Sequence, residues 1–280
     1  MNPPRRAAVL GSPISHSRSP VLHEAAYREL GLHHWQYTAH ECGSDQLADF
    51  VAGLDSSWAG LSLTMPLKRV ALSVADRVSP EAAAIGAANT LVLKSGESVA
   101  ENTDAPGMVD ALREAGVEDV TSVVVIGAGG TAQAALGAIV RIGAGGSKPT
   151  VNPVSIAVRE PRRAAAAEHT AGRLGLSSRT CRWEQLPELL ASADLVISTV
   201  PWQAGVALAE LGWRAGATFL DVIYHPWPTA AARAAEAAGC TVVSGAALLL
   251  HQAAHQVRLM TGMEPPVTAM RRALATCLPG

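Results

Sequence analysis

The stretch VVVIGAGGTAQA, residues 123–134, decides the fold of this chain. Its opening run of β-branched residues, which ends in glycine, predicts a buried parallel strand. The alanine-rich segment that follows, residues 131–142, predicts a helix. Between the strand and the helix, Gly127, Gly129 and Ala132 form the spacing G-x-G-x-x-A, which is typical of dinucleotide-binding turns.

Each of these small residues has a physical purpose at such a turn. Gly127 allows a tight turn, Gly129 lets a pyrophosphate approach the backbone, and Ala132 lets the helix pack closely on the strand. The N-terminus of the helix adds unpaired N–H groups and the positive end of its dipole. A glycine turn without a ligand is the alternative, but the strand before it and the helix after it favour nucleotide binding.

The composition limits the classes of protein to which this chain can belong. Its 280 residues suffice for two modest domains or one large one, and 49% of them are apolar. The net charge of −2 provides no basic surface for nucleic acid or an anionic membrane. The cysteines lack C-x-x-C spacing, which indicates reduced thiols, and no apolar run approaches the ~20 residues of a membrane span. We therefore expect a cytoplasmic protein with a small-molecule substrate and neither a nucleic-acid nor a membrane partner.

The pattern along the chain predicts an α/β fold. Strands alternate with helices on both sides of the glycine turn, which indicates a layered structure. If the nucleotide-binding part begins near residue 120, the residues before it form another folded unit, where a substrate is held. Ser19 precedes Pro20, which predicts a helix capped by Ser19. The predicted strands are residues 6–10, 35–39, 60–64, 88–93, 123–126, 154–158, 194–200, 218–223 and 241–243.

The end of the second strand of the nucleotide-binding part indicates which nucleotide is bound. A glycine- and proline-rich loop, residues 143–153, leads into this strand, and Arg159, Arg162 and Arg163 follow it. Three arginines suit a 2′-phosphate through charge-assisted bidentate contacts. Glu160 could instead bond a ribose hydroxyl, and a solvated helix start is the further alternative. The place of the arginines directly after the second strand favours NADP.

Six motifs, taken in order, resemble those of a known family. They are GSPISHSRSPVLH at residues 11–23, GLSLTMPLK at 60–68, ANT at 88–90, NTD at 102–104, GAGG at 127–130 and GAALLLHQAAH at 245–255. Over nearly the whole chain this order resembles the shikimate dehydrogenase family. The resemblance implies the NADPH-dependent, reversible reduction of 3-dehydroshikimate to shikimate, in the biosynthesis of chorismate and the aromatic amino acids.

The same resemblance implies how the chain is divided. The family combines an N-terminal α/β substrate domain with a doubly wound, Rossmann-type dinucleotide-binding domain, and its C-terminal helices return to the substrate domain. On this chain the boundaries become residues 1–105 for the substrate-binding and catalytic domain, 106–239 for the NADP-binding domain and 240–280 for the C-terminal helices. We expect a monomer or a homodimer.

The motifs also imply site residues, one position at a time. Lys68 and Asp104 match the catalytic pair, and Ser15 and Ser17 match the serines that hold the substrate carboxylate. Positions that match contacts to the ring hydroxyls are Thr64, Asn89, Asp104 and Gln252, and Tyr224 matches a tyrosine near the carboxylate and the nicotinamide. Positions that match cofactor contacts are Gly127, Ala128, Gly129, Gly130, Thr131, Arg159, Arg163, Val222 and Gly245.

This chain departs from the pattern of the family at three places. Ser62 stands where the family often has asparagine, which shortens that polar side chain. After the NTD motif, Ala105-Pro106 precedes Gly107, whereas the family usually has a glycine sooner. The second strand of the nucleotide-binding part ends in Val158-Arg159-Glu160 where the family often has Asn-Arg-Thr. These differences bear on fine substrate contacts and on the preference for NADP over NAD.

The residues themselves support a lysine as proton donor. Hydride delivery to a ketone creates an alkoxide, which needs a donor close to its oxygen. A lysine ammonium can supply that proton, whereas an arginine guanidinium cannot. Of 22 basic residues only Lys68, Lys94 and Lys148 are lysines, so Lys68 beside a strand end is a candidate for ammonium chemistry, with Asp104 orienting it or sharing the proton. A solvated lysine and a turn aspartate are the simpler alternatives.

Other functions fit parts of the pattern less well. His251 and His255 are four residues apart, but H-E-x-x-H and a third ligand are missing, so we expect no metal. A quinate/shikimate or aminoshikimate dehydrogenase with relaxed cofactor use is the nearest enzymatic alternative. A catalytically silent dinucleotide-binding regulator is an alternative of another class, and the presence of Lys68 and Asp104 argues against it.

Overall fold

The computed structural model describes residues 3–143 and 153–277. Most of the predicted loop at 143–153, with Lys148, lies outside these residues. The chain forms two compact units. Of the described residues, the first unit contains 3–107 and 249–277, and the second unit contains 108–143 and 153–248. The described residues after Leu248 therefore belong to the same unit as the N-terminal part of the chain.

Within the part of the chain that the structure describes, each unit contains a six-stranded sheet. In the first unit the strands are β1 (Arg5–Gly11), β2 (Trp35–Glu41), β3 (Trp58–Leu63), β4 (Arg77–Val78), β5 (Thr90–Lys94) and β6 (Glu97–Glu101). In the second unit they are β7 (Val123–Ile126), β8 (Val154–Val158), β9 (Ser178–Arg182), β10 (Leu195–Ser198), β11 (Thr218–Asp221) and β12 (Thr241–Ser244).

Helices lie between many of the strands, and two more follow the last strand. They are α1 (Ser19–Glu29), α2 (Leu47–Ala52), α3 (Ala71–Val74), α4 (Pro80–Ile85), α5 (Asp104–Glu114), α6 (Gly130–Gly143), α7 (Ala165–Arg173), α8 (Leu186–Leu190), α9 (Trp202–Gly205), α10 (Ala230–Ala237), α11 (Gly245–Thr261) and α12 (Val267–Ala275). Short 3₁₀ turns cover Pro161–Ala164, Trp183–Gln185 and Val206–Glu210. Within the described residues, no helix is both long enough and apolar enough to cross a membrane.

The two sheets differ in strand direction. The sheet of the first unit has the order β2-β1-β3-β5-β6-β4, in which β1 is parallel to β2 and β3, and β5 is antiparallel to β3 and β6. The sheet of the second unit is wholly parallel and has the order β12-β11-β10-β7-β8-β9. Its strand order reverses between β7 and β10. Ligands of open parallel sheets bind at such a reversal, outside the carboxyl ends of the strands.

The central strands β1 and β7 are buried on both faces, which explains their continuous apolar runs. Along β7, Val123 and Val125 join one core cluster, while Val124 and Ile126 join another on the opposite face. Successive residues of β1 are divided in the same way between two clusters of the first unit. Because side chains alternate between the faces of a strand, a strand covered on both faces loses the polar alternation of a half-exposed one.

The predicted α/β class is confirmed, and so are the predicted bounds of β7 and β8. The strands β4, β6 and β9 were missed. β4 is only two residues long, and the sequences of β6 and β9, ESVAE and SRTCR, are largely polar with only some of their side chains buried. The prediction that Ser19 caps α1 is wrong. The helix begins at Ser19 itself, and the Ser17 hydroxyl oxygen accepts the Ser19 backbone N–H at 3.3 Å.

Candidate active site

The candidate site in the first unit is built around a lysine–aspartate ion pair. Lys68 Nζ donates to Asp104 Oδ2 at 2.7 Å, and their side chains are 17% and 8% exposed. Lys68 follows β3 after a turn in which the Leu67 N–H donates to the Thr64 carbonyl at 2.8 Å. Asp104 is the first residue of α5. A cation and a carboxylate at this distance form a charge-assisted hydrogen bond, which holds the ammonium in one place.

Asn89 fixes the second oxygen of the aspartate. Its side-chain Nδ2 donates to Asp104 Oδ1 and to Thr103 Oγ1, both at 2.9 Å. Its Oδ1 accepts the Thr103 backbone N–H at 2.7 Å and the Thr90 hydroxyl at 3.1 Å. All of these side chains are buried. The carboxylate of Asp104 therefore has a partner on each oxygen, the ammonium on one side and the carboxamide on the other.

Gln252, on α11, lies next to the same asparagine. Its Oε1 accepts from Asn89 Nδ2 at 3.3 Å, and its Nε2 donates to the Leu249 carbonyl at 2.9 Å. The backbones of α5 and α11 touch here, because a Cβ added to Gly107 would lie 2.6 Å from the Gln252 backbone nitrogen. Gly107 thus permits the approach that brings Gln252 to Asn89.

The serine loop and Thr64 are joined through the backbone. The Ser12 N–H donates to the Met65 carbonyl at 2.9 Å, and a Cβ added to Gly11 would collide with the Thr64 methyl group. Ser15 is exposed and Ser17 is half-buried, so both hydroxyls are accessible to a ligand. The structure therefore brings Lys68, Asn89, Asp104 and Gln252 into one hydrogen-bonded cluster and places Thr64 beside the loop that carries the two serines.

Tyr224 belongs to the second unit and follows β11. The loop that carries it is fastened by Asp221, whose Oδ2 accepts the Thr229 hydroxyl at 2.8 Å and whose Oδ1 accepts the Ile223 N–H at 3.2 Å. Burial raises the pKa of the Asp221 carboxyl, and these two hydrogen bonds partly oppose that shift. The loop therefore has a defined shape, with Tyr224 half-buried on it.

The glycine turn has the geometry that its spacing predicts. Gly127 has a φ of +111°, and a Cβ there would collide with Thr199 Oγ1. Gly129 is exposed, and a Cβ there would meet nothing within 4 Å, while Ala132 is fully buried beneath it. The half-buried Ala128, Gly130 and Thr131 complete the turn and the start of α6. The open space at Gly129, in front of a helix N-terminus, fits a pyrophosphate group.

The arginines after β8 present two different arrangements. The Arg159 guanidinium lies over the Trp183 ring, 5.0 Å from its centroid, and Arg159 itself is exposed. Arg163 Nε lies 3.5 Å from Glu160 Oε2, and both side chains are more than half exposed. Glu160 therefore forms an ion pair with Arg163 and is not a lone acceptor for a ribose hydroxyl. Two exposed guanidinium groups at this strand end fit a 2′-phosphate.

Val222 and Gly245 meet in the second unit. The Val222 N–H donates to the Ser198 carbonyl at 3.1 Å, which extends the pairing of β10 with β11. A Cβ added to Gly245 would collide with the Val222 carbonyl oxygen. Only glycine permits this approach of α11 to the end of β11, at the carboxyl edge of the parallel sheet where ligands of such folds bind.

Three site neighbours were missed by the sequence analysis. Thr103 and Gln256 are buried beside Asn89, and Trp183 supports Arg159. Gln256 follows Gln252 by four residues on α11, so the helical spacing that places both on one face was a usable signal. Trp183 gave no such signal, because its contact with Arg159 depends on the pairing of β8 with β9. Across residues 3–143 and 153–277, no group of three or more His, Cys, Asp or Glu side chains is arranged to hold a metal ion.

Family models match three parts of the chain. The shikimate dehydrogenase substrate binding domain matches residues 9–91, and the shikimate 5′-dehydrogenase C-terminal domain matches residues 245–275. The saccharopine dehydrogenase NADP binding domain matches residues 123–243. The first match and residues 249–275 of the second fall on the unit that holds Lys68, and the third match covers most of the parallel sheet with its glycine turn.

Full-length relatives carry the same family name. The shikimate dehydrogenase (NADP(+)) of Methanothermobacter thermautotrophicus is 34% identical, over 96% of this chain and 95% of its own. The crystal structure of Mycobacterium tuberculosis shikimate dehydrogenase is 41% identical, with a TM-score of 0.87 over 98% of this chain and 100% of that one. Shikimate 5-dehydrogenase from Thermus thermophilus, solved with NADP(H) and shikimate, is 32% identical, with a TM-score of 0.81 over 98% and 100% of the two chains. With this fold, these motifs and relatives of this identity over its whole length, the chain belongs to the shikimate dehydrogenase family.

Proposed function

We propose that this protein is an NADP-dependent oxidoreductase that reversibly reduces 3-dehydroshikimate to shikimate. The observation that carries the proposal is the Lys68–Asp104 pair, whose 2.7 Å hydrogen bond places an ammonium group in the unit that matches the substrate binding domain of the family. A ketone reduction needs a proton donor at the carbonyl oxygen, and a held lysine ammonium is suited to that task.

Substrate binding is proposed for side chains around this pair. The ring hydroxyls would be bound by Thr64, Asn89, Asp104 and Gln252. The Asn89 side chain is hydrogen-bonded to Asp104 and to Gln252. Thr64 lies on the turn that leads to Lys68. Ser15 and Ser17 would hold the carboxylate through neutral hydroxyls. The role of Tyr224 as a substrate contact stays a prediction, supported by the family motif that contains it.

Cofactor binding is proposed for the carboxyl edge of the parallel sheet in the second unit. The backbone from Gly127 to Thr131 would hold the pyrophosphate, because Gly129 leaves open space in front of the α6 N-terminus. Arg159 and Arg163 would hold the 2′-phosphate, and Val222 with Gly245 would line the nicotinamide end. The NADP binding domain match over residues 123–243 supports this assignment.

In this reaction the protein positions the substrate and the cofactor and supplies one proton. NADPH, when bound, supplies a hydride to the carbonyl carbon of the substrate. Lys68 Nζ donates a proton to the carbonyl oxygen as negative charge develops on that oxygen. Asp104 Oδ2 holds the ammonium in position before this transfer. In the direction of shikimate oxidation, the neutral amine of Lys68 accepts the hydroxyl proton. Lys68 exchanges its proton with solvent between turnovers.

The decisive experiment is shikimate-dependent reduction of NADP, with NAD in parallel and quinate as a second substrate. The proposal predicts rapid turnover of shikimate with NADP and slow turnover of quinate. Turnover mainly with NAD would favour binding of the ribose hydroxyl by Glu160 and an enzyme with relaxed cofactor use. Preferential turnover of quinate would favour a quinate/shikimate dehydrogenase, and binding of NADP without any turnover would favour a silent regulator.

Two finer expectations complete the proposal. A monomer or a homodimer is the proposed assembly, to be measured by light scattering on the purified protein.

A cytoplasmic location is proposed because the scattered cysteines suit a reducing compartment, and three of them, Cys42, Cys181 and Cys240, are buried as free thiols. Fractionation of the source cells tests that location.

A further inference from the structure

Gln256 occupies the centre of a buried polar network that the proposed reaction does not use. The residue is 1% exposed and lies on α11, one turn beyond Gln252. Its Nε2 donates to the Asn89 carbonyl at 3.2 Å and to Thr90 Oγ1 at 3.0 Å. Its Oε1 accepts the Ser62 hydroxyl at 2.8 Å. A buried carboxamide with partners on both of its ends has a single orientation.

The direction of each hydrogen bond in this network follows from its chemistry. A backbone carbonyl can only accept, so the atom facing Asn89 O is the amide nitrogen of Gln256. Gln256 Oε1 must then accept from His23 Nε2, 3.3 Å away, which requires the hydrogen of His23 on Nε2. On the other side, the Tyr37 hydroxyl donates to Ser62 Oγ at 2.6 Å, and Ser62 donates onward to Gln256. Ser62, which stands where the family often has asparagine, thus links Tyr37 to Gln256 by accepting one hydrogen bond and donating another.

The network leads through Thr90 to the catalytic pair. Thr90 Oγ1 accepts from Gln256 and donates to Asn89 Oδ1 at 3.1 Å. The Thr103 backbone N–H donates to the same Oδ1 at 2.7 Å, and the two donors together direct the other end of that carboxamide, Nδ2, toward Asp104 Oδ1. Asp104 in turn holds Lys68 at 2.7 Å. A continuous path of hydrogen bonds therefore runs from α11 through β5 to the proton donor.

We propose that Gln256 and Thr90 are positioning residues, which set the orientation of Asn89 and through it the place of the Asp104 carboxylate and the Lys68 ammonium. The inference rests on the proposed function for its kinetic readout, and the network itself is a property of the first unit. Neither residue touches the reacting groups. Their effect is on kcat, because a misplacement of ~1 Å in a catalytic group can cost ~10²-fold in rate.

The kinetic test compares Thr90→Val with Thr90→Ser in the full-length enzyme. Valine keeps the shape of threonine and removes the hydroxyl, whereas serine keeps the hydroxyl. We expect Thr90→Val to lower kcat about tenfold with little change in KM for NADP, and Thr90→Ser to retain most of the wild-type kcat. Gln256→Met, which keeps the volume and removes the carboxamide, should lower kcat similarly. If Gln256→Met does not fold, the Thr90 pair alone decides the question.

A matched control separates positioning from stability. Ser98, on β6 in the first unit, is also buried, and its hydroxyl donates to Asp76 Oδ2 at 2.7 Å, away from the Asn89 cluster. Ser98→Ala removes a buried hydroxyl and should lower the melting temperature without lowering kcat. The inference is overturned if Thr90→Val stays within about twofold of the wild-type kcat, or if Ser98→Ala loses kcat to the same extent.

A second readout does not depend on turnover. The chain has only three lysines, so the side-chain ammonium resonances of Lys68 and Lys94 can be followed by NMR in lysine-labelled protein. We expect Thr90→Val to shift the Lys68 ammonium signal, with the Lys94 signal unchanged and Thr90→Ser close to wild type. An unshifted Lys68 signal in Thr90→Val overturns the inference. If the wild-type enzyme is inactive but Thr90→Val still shifts the Lys68 signal, the proposed function is contradicted and the positioning network is supported.

Discussion

The Lys68 ammonium and the Asp104 carboxylate are joined at 2.7 Å in the first unit, and Asn89 holds the carboxylate oxygen that the lysine does not use. Replacing Lys68 by methionine removes the proposed proton donor and keeps most of the apolar stem. We expect kcat to fall by ~10²- to 10⁴-fold, the usual contribution of general acid catalysis, with KM for NADP little changed.

Lys94→Met is the control for that change. Lys94 lies at the end of β5 and is exposed, so this variant should keep wild-type kinetics. Steady-state kinetics in both reaction directions provide the measurement. An enzyme with Lys68→Met that retained a tenth or more of the wild-type kcat would exclude Lys68 as the proton donor.

The contact between Arg159 and Trp183 leads to a prediction about cofactor preference. Arg159→Gln should weaken NADP binding by roughly ten- to a hundredfold, since a hydrogen bond to a charged group contributes ~1.5–3 kcal/mol, and should leave NAD binding unchanged. Trp183→Leu should weaken NADP binding about two- to fivefold, because it removes the ~0.5–1 kcal/mol of an exposed cation–π contact. Trp183→Phe keeps an aromatic face and serves as the control.

Titration calorimetry with NADP and with NAD measures both affinities directly. Equal weakening of the two cofactors in Arg159→Gln would contradict the assignment of this arginine to the 2′-phosphate. A Trp183→Leu variant that bound NADP as wild type does would show that Arg159 needs no support from the ring.

How far the sequence predicts this molecule depends on the range of the interaction concerned. The strands β7 and β8 were predicted with their observed bounds, because a parallel strand buried on both faces is apolar at every position. Lys68 and Asp104 were predicted as a pair through motifs, and their side chains are in contact although 36 residues separate them in the chain. Gln256 lies 194 residues from its partner Ser62, and nothing local in either segment indicates that contact. Such long-range polar pairs are fixed by tertiary packing, which single-sequence patterns do not encode.

The two glycines of the turn should respond to alanine in opposite ways. At Gly127 a side chain would be strained at a φ of +111° and would collide with Thr199, so Gly127→Ala should lower the free energy of unfolding by ~1–3 kcal/mol. At Gly129 a methyl group meets open space, so Gly129→Ala should keep wild-type stability and bind NADP more weakly, because the methyl group enters the space proposed for the pyrophosphate. Denaturant unfolding and NADP titration on both variants test the pair. Wild-type affinity in Gly129→Ala would place the pyrophosphate elsewhere.

The buried His23 makes the stability of the protein depend on pH. Its ring is fully buried, stacked on Tyr37 with 3.9 Å between the ring centroids. Burial lowers the pKa of His23 to about 3, and the hydrogen bond with Gln256 opposes that shift only in part. In the unfolded chain the pKa of a histidine is ~6.5. Between these two values the unfolded state binds a proton that the folded state does not, so the free energy of unfolding falls as the pH falls through this window.

Urea unfolding of wild type and His23→Gln at about pH 7 and about pH 5 measures this dependence. For a group that stays neutral when folded, linkage gives a loss of ~2 kcal/mol between those two pH values, which should be present in wild type and absent from the variant. The comparison is a difference of differences, so the intrinsic cost of the substitution cancels. Equal losses in the two proteins would mean that His23 is protonated in the folded state. Both ring nitrogens would then donate, and the Tyr27 hydroxyl, 3.4 Å from Nδ1, would have to accept rather than donate.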